Sequence, residues 1–255
     1  MGILIETKDV GISFGAHQAV DHVSFSIEEN QFTSIIGPNG AGKTTLFNLL
    51  SGQLSASQGE IYFKGKNITK LSPMERTRLG IGRSFQITNV FPNLTVLENV
   101  RLAVQSQQKV RYQMLSSIRK YKHFEEKALH WLGVTLLHNK ENTVAKNLAH
   151  GEKRKLELAM LLALDPTILL LDEPTAGMSL EDIPMIYEVI QKIKDEGNKT
   201  ILSIEHKMDM IINLSDRVMV LFNGKLLADG TPKEIMNNET VQSAYLGGLY
   251  NEFTT

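Results

Sequence analysis

The chain reads as an α/β protein whose mostly parallel sheet is built around a phosphate-binding loop. Three observations carry that reading. Gly37-Pro38-Asn39-Gly40-Ala41-Gly42-Lys43-Thr44-Thr45 lies between an apolar run suited to a buried strand, Phe32–Ile36, and a helical pattern of Leu46, Phe47, Leu49 and Leu50. A second buried run, Ile168-Leu169-Leu170-Leu171, ends in Asp172-Glu173. After Leu164, strand and helix patterns alternate, as a parallel sheet covered on both faces requires.

Taken in order, residues 3–27 show period-two alternation through Val10, Ile12 and Phe14, then Val23, Phe25 and Ile27. They predict half-buried strands separated by Gly15-Ala16-His17. The helix after the glycine-rich loop should end at Gly52, and residues 60–66 read as a strand and turn. Ser72-Pro73-Met74-Glu75 is a capping box with proline at the first helical position. Residues 81–86 resume extended structure. Thr95-Val96-Leu97-Glu98 is a second capping box and opens a mainly helical stretch to about residue 164. Within it, residues 109–122 mix Arg111, Arg119, Lys120 and Lys122 with apolar residues, which favours a solvated helical face over an anionic-lipid contact. Strands follow at 167–171 and 200–204, helices at 183–194 and 207–214. Residues 218–222 and 225–228 flank Asn223-Gly224, a strong two-residue hairpin signal. No repeats or linkers interrupt residues 1–255, which read as a single domain with a helical subdomain at about 90–164.

Composition narrows the function classes. With 255 residues, 42% hydrophobic and 22% charged, the chain can bury a large core. A net charge of −1 gives no global basic field for nucleic acid. The absence of cysteine excludes disulfides, thiolate catalysis and cysteine-ligated zinc. The first residues lack a basic n-region with a long apolar core, so no signal peptide is expected, and Glu6 breaks a myristoylation pattern. No apolar run is long enough to span a bilayer.

The loop at 37–45 has the residues that phosphate binding needs. Its glycines let backbone N–H groups approach an anion, and the helix that starts there adds its positive end. Lys43 supplies a point charge for β- and γ-phosphates, and the Thr44 hydroxyl is placed to ligate Mg²⁺. Asp172 and Glu173 fall at the carboxyl edge of the sheet, where open α/β folds bind ligands. Asp172 suits Mg²⁺, directly or through water, and Glu173 suits general-base activation of an attacking water.

Together with Leu148-Ala149-His150-Gly151-Glu152, these motifs resemble the ATP-binding subunits of ABC transporters. The resemblance covers residues 4–249 and implies a P-loop NTPase fold with an antiparallel β subdomain and a helical subdomain. It also implies ATP hydrolysis coupled to transport, with ATP and Mg²⁺ as cofactors. The 148–152 segment departs from the usual Leu-Ser-Gly-Gly-Gln, keeping the leucine and the second glycine. It implies a helix end that meets the γ-phosphate held by a second subunit. Ala149 brings no hydroxyl to that contact, and His150 is given no catalytic role.

By the same resemblance, Gln86 matches a glutamine that senses Mg²⁺ and the membrane partner, and His206 a histidine that contacts the γ-phosphate and orients water. Phe14 matches an aromatic residue that stacks on adenine, although a core position on a strand face is the competing reading. Ser179, in Ala176-Gly177-Met178-Ser179, stands where aspartate is common. The sequences around His150, Asp172 and His206, and the tail Ala244-Tyr245-Leu246-Gly247, are similar to importers of branched-chain amino acids. Importers of urea and short amides share most of them, and lipopolysaccharide exporters share the tail. The implied assembly is peripheral, on the cytoplasmic face of the membrane. It would join permease subunits, a second ATP-binding subunit (a sister ATPase, with a homodimer as the alternative) and, indirectly, an external substrate-binding protein, without nucleic acid. A soluble regulator of the same family and a non-hydrolysing nucleotide-binding scaffold are the remaining alternatives.

Overall fold

The computed structural model describes residues 2–84, 90–107 and 118–246. They fall into two compact units. The first takes in the described residues up to Ile81, then Ile168–Glu173, then those from Asn198 onward. The second comprises Gly82–Thr167 and Pro174–Gly197, as far as they are described.

In the first unit, β1 (Ile3–Phe14) and β2 (His17–Glu28) pair antiparallel, with Phe14 opposite His17 across the tip. Strand β3 (Phe32–Ile36) is buried at every residue and delivers the chain to the glycine-rich loop and α1 (Lys43–Ser51). Helix α1 ends at Gly52 in the left-handed conformation, a backbone state that glycine adopts without Cβ strain. Next come β4 (Gln58–Phe63), the short β5 (Lys66–Asn67) and α2 (Pro73–Leu79). Helix α2 carries the expected capping box: Glu75 N–H donates to Ser72 Oγ, and Ser72 N–H donates to Glu75 Oε2 at 2.8 Å. The chain leaves this unit through β6 (Ile81–Arg83).

The second unit holds α3 (Val96–Gln107), α4 (Ile118–Val134), α5 (His150–Ala163) and α6 (Ile183–Asp195). The Thr95 box forms: Glu98 N–H donates to Thr95 Oγ1 at 3.1 Å. Leu156, Ala159 and Ala163 face inward from α5, against Val100 and Val104 of α3 and Phe124, Ala128 and Leu132 of α4. This is the i, i+3, i+7 spacing of a helix with one apolar face. The unit begins before residue 90, and it includes α6, which lies beyond the second acidic motif.

In the sequence between α5 and α6 the chain returns to the first unit as β7 (Ile168–Asp172), buried throughout. After Gly197 come β8 (Thr200–Ile204), α7 (Met208–Leu214), β9 (Arg217–Phe222) and β10 (Lys225–Gly230), then α8 (Pro232–Met236) and α9 (Glu239–Val241). Among the described residues the strands form two sheets. One is antiparallel, in the order β2-β1-β4-β5, and the other runs β10-β9-β3-β8-β7-β6. In the second sheet, β9, β3, β8 and β7 are mutually parallel, and only the β9–β10 hairpin is known to run antiparallel. One apolar core joins Val20, Val23 and Ile27 of β2 to Leu46 and Leu50 of α1 and to Ile35, Ile168 and Leu202 of the parallel strands.

Candidate functional site

Parallel strands side by side bring their carboxyl ends to one edge of the sheet. Here β3 delivers the 37–45 loop to that edge, β7 delivers Asp172 and Glu173, and β8 delivers Glu205 and His206. All belong to the first unit.

Close backbone approach shapes the loop. A Cβ on Gly37 would lie 2.1 Å from the Leu221 carbonyl oxygen, and one on Gly42 would lie 2.3 Å from that of Ala19. Gly42 also caps α1 at φ 97°, in the left-handed region. The bonds within the helix begin with Leu46 N–H donating to Gly42 O at 2.8 Å, so the first-turn N–H groups point out of its end. Pro38 and Ala41 close the loop through the Ala41 N–H, which donates to Pro38 O at 3.1 Å. Asn39 and Gly40 form its exposed rim. Lys43 is 6% exposed, and its ammonium donates to Gly37 O at 2.6 Å and to Pro38 O at 3.0 Å. Burial lowers its pKa, against the opposing fields of Glu173 and Asp172. The charge is therefore held in the loop by carbonyl dipoles that an anion can replace. Thr44 is exposed beside it, and Thr45 is half-buried.

Asp172 is 1% exposed at the end of β7. Glu173 follows at φ 46°, a left-handed backbone that costs a non-glycine residue on the order of 1–3 kcal/mol. Its N–H donates to Ile204 O at 3.2 Å, which holds that conformation against β8. The turn aims its carboxylate at the next strand end, where Oε1 lies 2.8 Å from His206 Nε2. Both side chains remain about a third exposed, at 36% and 37%.

A residue that sequence reasoning passed over stands behind this pair. Glu205 is 1% exposed, and burial raises its carboxyl pKa to about 8, with the neighbouring Glu173 charge adding to the shift. The Ser203 hydroxyl bridges Glu205 Oε1 at 2.8 Å and the Leu171 carbonyl at 3.3 Å. The signal was in the sequence: an apolar strand followed at once by two ionisable residues, as in Leu171-Asp172-Glu173.

Phe14 is half exposed at the β1–β2 tip, which rules out its reading as a core side chain. Gln86, most of 109–122 and Gly247 of the tail lie outside the described residues. In the second unit, Leu148 is buried, Ala149 and His150 are exposed, and Gly151 is buried against Asp182. Glu152 is held at the start of α5: Oε2 accepts from Ala149 N–H at 3.0 Å and Oε1 pairs with Lys140 at 3.0 Å. Desolvation opposes this carboxylate, but those donors together lower its pKa. Ala149 has no side-chain oxygen with which to complete the box. Its N–H is committed to Glu152, which leaves those of His150, Gly151 and Glu152 at the helix end. Arg154 Nε donates to Pro174 O at 3.1 Å, tying α5 to the residue after Glu173. Ser179 accepts from Asp182 N–H at 3.3 Å and donates to its carboxylate at 2.9 Å, so it serves the turn before α6.

Residues 20–176 match the ABC transporter family, and residues 225–250 match the branched-chain amino acid ATP-binding cassette transporter family. The chain is 38% identical to the high-affinity branched-chain amino acid transport ATP-binding protein LivG of Salmonella typhimurium, over 96% of this chain and 98% of that one. It is equally similar, at 38% over the same shares, to BraF of Pseudomonas aeruginosa, which bears the same description. Among solved structures it is similar to the ADP conformation of an ATP-binding cassette of an ABC transporter. There the TM-score is 0.81 at 30% identity, covering 97% of this chain and 100% of that one. A dimeric cassette in a post-hydrolysis state, bound to ADP and Pi, is similar at TM-score 0.73 and 26% identity, covering 90% and 99%.

Proposed function

The chain belongs to the ATP-binding subunits of ABC transporters, and on that premise we propose that its ATP hydrolysis drives import of branched-chain amino acids through membrane permease subunits. Its relatives support that substrate class by their names, and the 225–250 match favours it over urea, short-amide or lipopolysaccharide transport. Among the described residues no helix is long and apolar enough to cross a membrane. As in the family it belongs to, the subunit would work as a peripheral one, on the cytoplasmic face.

The observation that carries the chemistry is the Glu173–His206 pair, at 2.8 Å, on the same sheet edge as the buried Lys43. The N–H groups of the 40–45 segment would receive the phosphates, and the Lys43 ammonium would exchange its carbonyl partners for β- and γ-oxygens. Glu173 would accept the proton of the attacking water, with His206 orienting it. Of the two acids at this edge, Glu173 is the one that reaches solvent beside His206, while Glu205 is buried. Phe14 would stack on the adenine.

The oxygen donors of Thr44 and Asp172 suit Mg²⁺, and Gln86 would join them as a further ligand. The described residues hold no cluster of three or more His, Cys, Asp or Glu suited to a metal. Mg²⁺ keeps waters and takes phosphate oxygens as ligands, so it needs few donors from the protein. When bound, it would neutralise charge on the transferring phosphoryl group. The helix end at 148–152 would meet the nucleotide of a second subunit through the His150, Gly151 and Glu152 N–H groups.

Hydrolysis of MgATP by the purified chain tests this reading. Glu173→Gln should keep ATP binding and lower turnover by about 10²–10⁴. Undiminished turnover in Glu173→Gln would remove Glu173 from the catalytic role.

A further inference from the structure

The turn between β9 and β10 leaves the carboxyl end of β9, which is parallel to β3, and so touches the phosphate loop at the same edge of the sheet. Asn223 and Gly224 have φ of 48° and 77°, the pair of left-handed residues that a tight two-residue hairpin needs. Gly224 N–H donates to Ala41 O at 3.1 Å, inside the loop. Gly224 O accepts from Asp21 N–H at 2.8 Å, on β2. One residue thus joins the phosphate loop to the hairpin whose tip bears Phe14. Packing there is tight: a Cβ on Gly224 would lie 3.1 Å from Ala19 O, the same carbonyl that closes over Gly42. At the outer surface Lys225 Nζ pairs with Asp21 Oδ2 at 3.2 Å.

We propose that Gly224 is a positioning residue for nucleotide binding, clamping Ala41 of the phosphate loop to Asp21 of β2 so that the loop is held ready for an anion. A preformed cradle binds without the ordering cost that a loose loop incurs. This inference rests on the ATP-binding reading above and adds to it a part of the protein outside the phosphate-binding segment.

The β4–β5 turn supplies a matched control. Lys64 and Gly65 have φ of 49° and 73°, the same local geometry, and a Cβ on Gly65 meets nothing within 4 Å. MgADP affinity by calorimetry and melting temperature are measured for wild type, Gly224→Ala and Gly65→Ala. Both variants carry left-handed alanine strain and should melt lower, but only Gly224→Ala should weaken MgADP binding, by about tenfold. Lys225→Glu, which keeps every backbone group, should weaken binding about twofold, and the swap Asp21→Lys/Lys225→Glu should restore it. Unchanged MgADP affinity in folded Gly224→Ala, or in Lys225→Glu if the first does not fold, overturns the clamp. Failure of the wild type to bind MgADP sinks the ATP-binding reading itself, and the clamp with it.

Discussion

Glu205 has the most unusual environment of any described acid at the site edge, and it leads to a pH prediction. Its folded pKa of about 8 lies above the usual carboxylate value of 4.5. Between those values the folded state binds a proton that the unfolded state has released, so stability falls as pH rises from 4.5 through 8. Glu205→Gln keeps the buried shape without the titration. In urea unfolding the variant should match the parent near pH 5 and exceed it at pH 8 by on the order of a few kcal/mol. A constant difference across that range would contradict a protonated Glu205. Sequence reasoning passed over this acid, because desolvation depends on what packs around a residue. By contrast, Lys43, Thr44, Asp172 and Glu173 were legible, since a loop between strand and helix and a strand ending in acids are local patterns. The left-handed turn at Glu173 was not, because Ile204 O of a distant strand holds it.

At the scale of elements, α1 is anchored by a residue that a surface pattern disguised. Arg76 reads as one more charge on a short polar helix, yet it is 1% exposed. Its guanidinium donates to Leu49 O at 2.5 Å, Leu50 O at 2.9 Å, Thr69 O at 2.9 Å and Leu71 O at 3.1 Å. Burial lowers its pKa to about 10, so the side chain stays charged and neutralises the negative end of the phosphate-loop helix. Arg76→Met should cost more than about 2 kcal/mol in urea unfolding, since several buried carbonyls lose their donor at once. Arg76→Lys should recover little of it, because one ammonium cannot replace a planar fork. A near-neutral Arg76→Met would show that water or neighbouring groups satisfy those carbonyls. In the second unit, Leu156 is fully buried between α3, α4 and α5, and Leu156→Ala should cost roughly 2–5 kcal/mol. Helical periodicity made that core visible in the sequence. The inclusion of α6 in the same unit was not visible, because nothing within 174–197 states which neighbour its apolar face will cover.

At the scale of the whole molecule, the account makes this chain one ATPase of a larger transporter. A similar cassette is known as a dimer, and pairing with a sister ATPase is the arrangement proposed here. A tagged copy purified from its native membrane should bring down a different ATP-binding chain in equal amount, and a symmetric homodimer would refute that pairing. The most direct test of the central claim is uptake of labelled leucine and labelled urea by source cells carrying Lys43→Ala in place of the wild-type chain. The account expects leucine uptake to fall to background with urea uptake unchanged. Intact leucine uptake with lost urea uptake would contradict the substrate class, and no change in either would contradict the importer role.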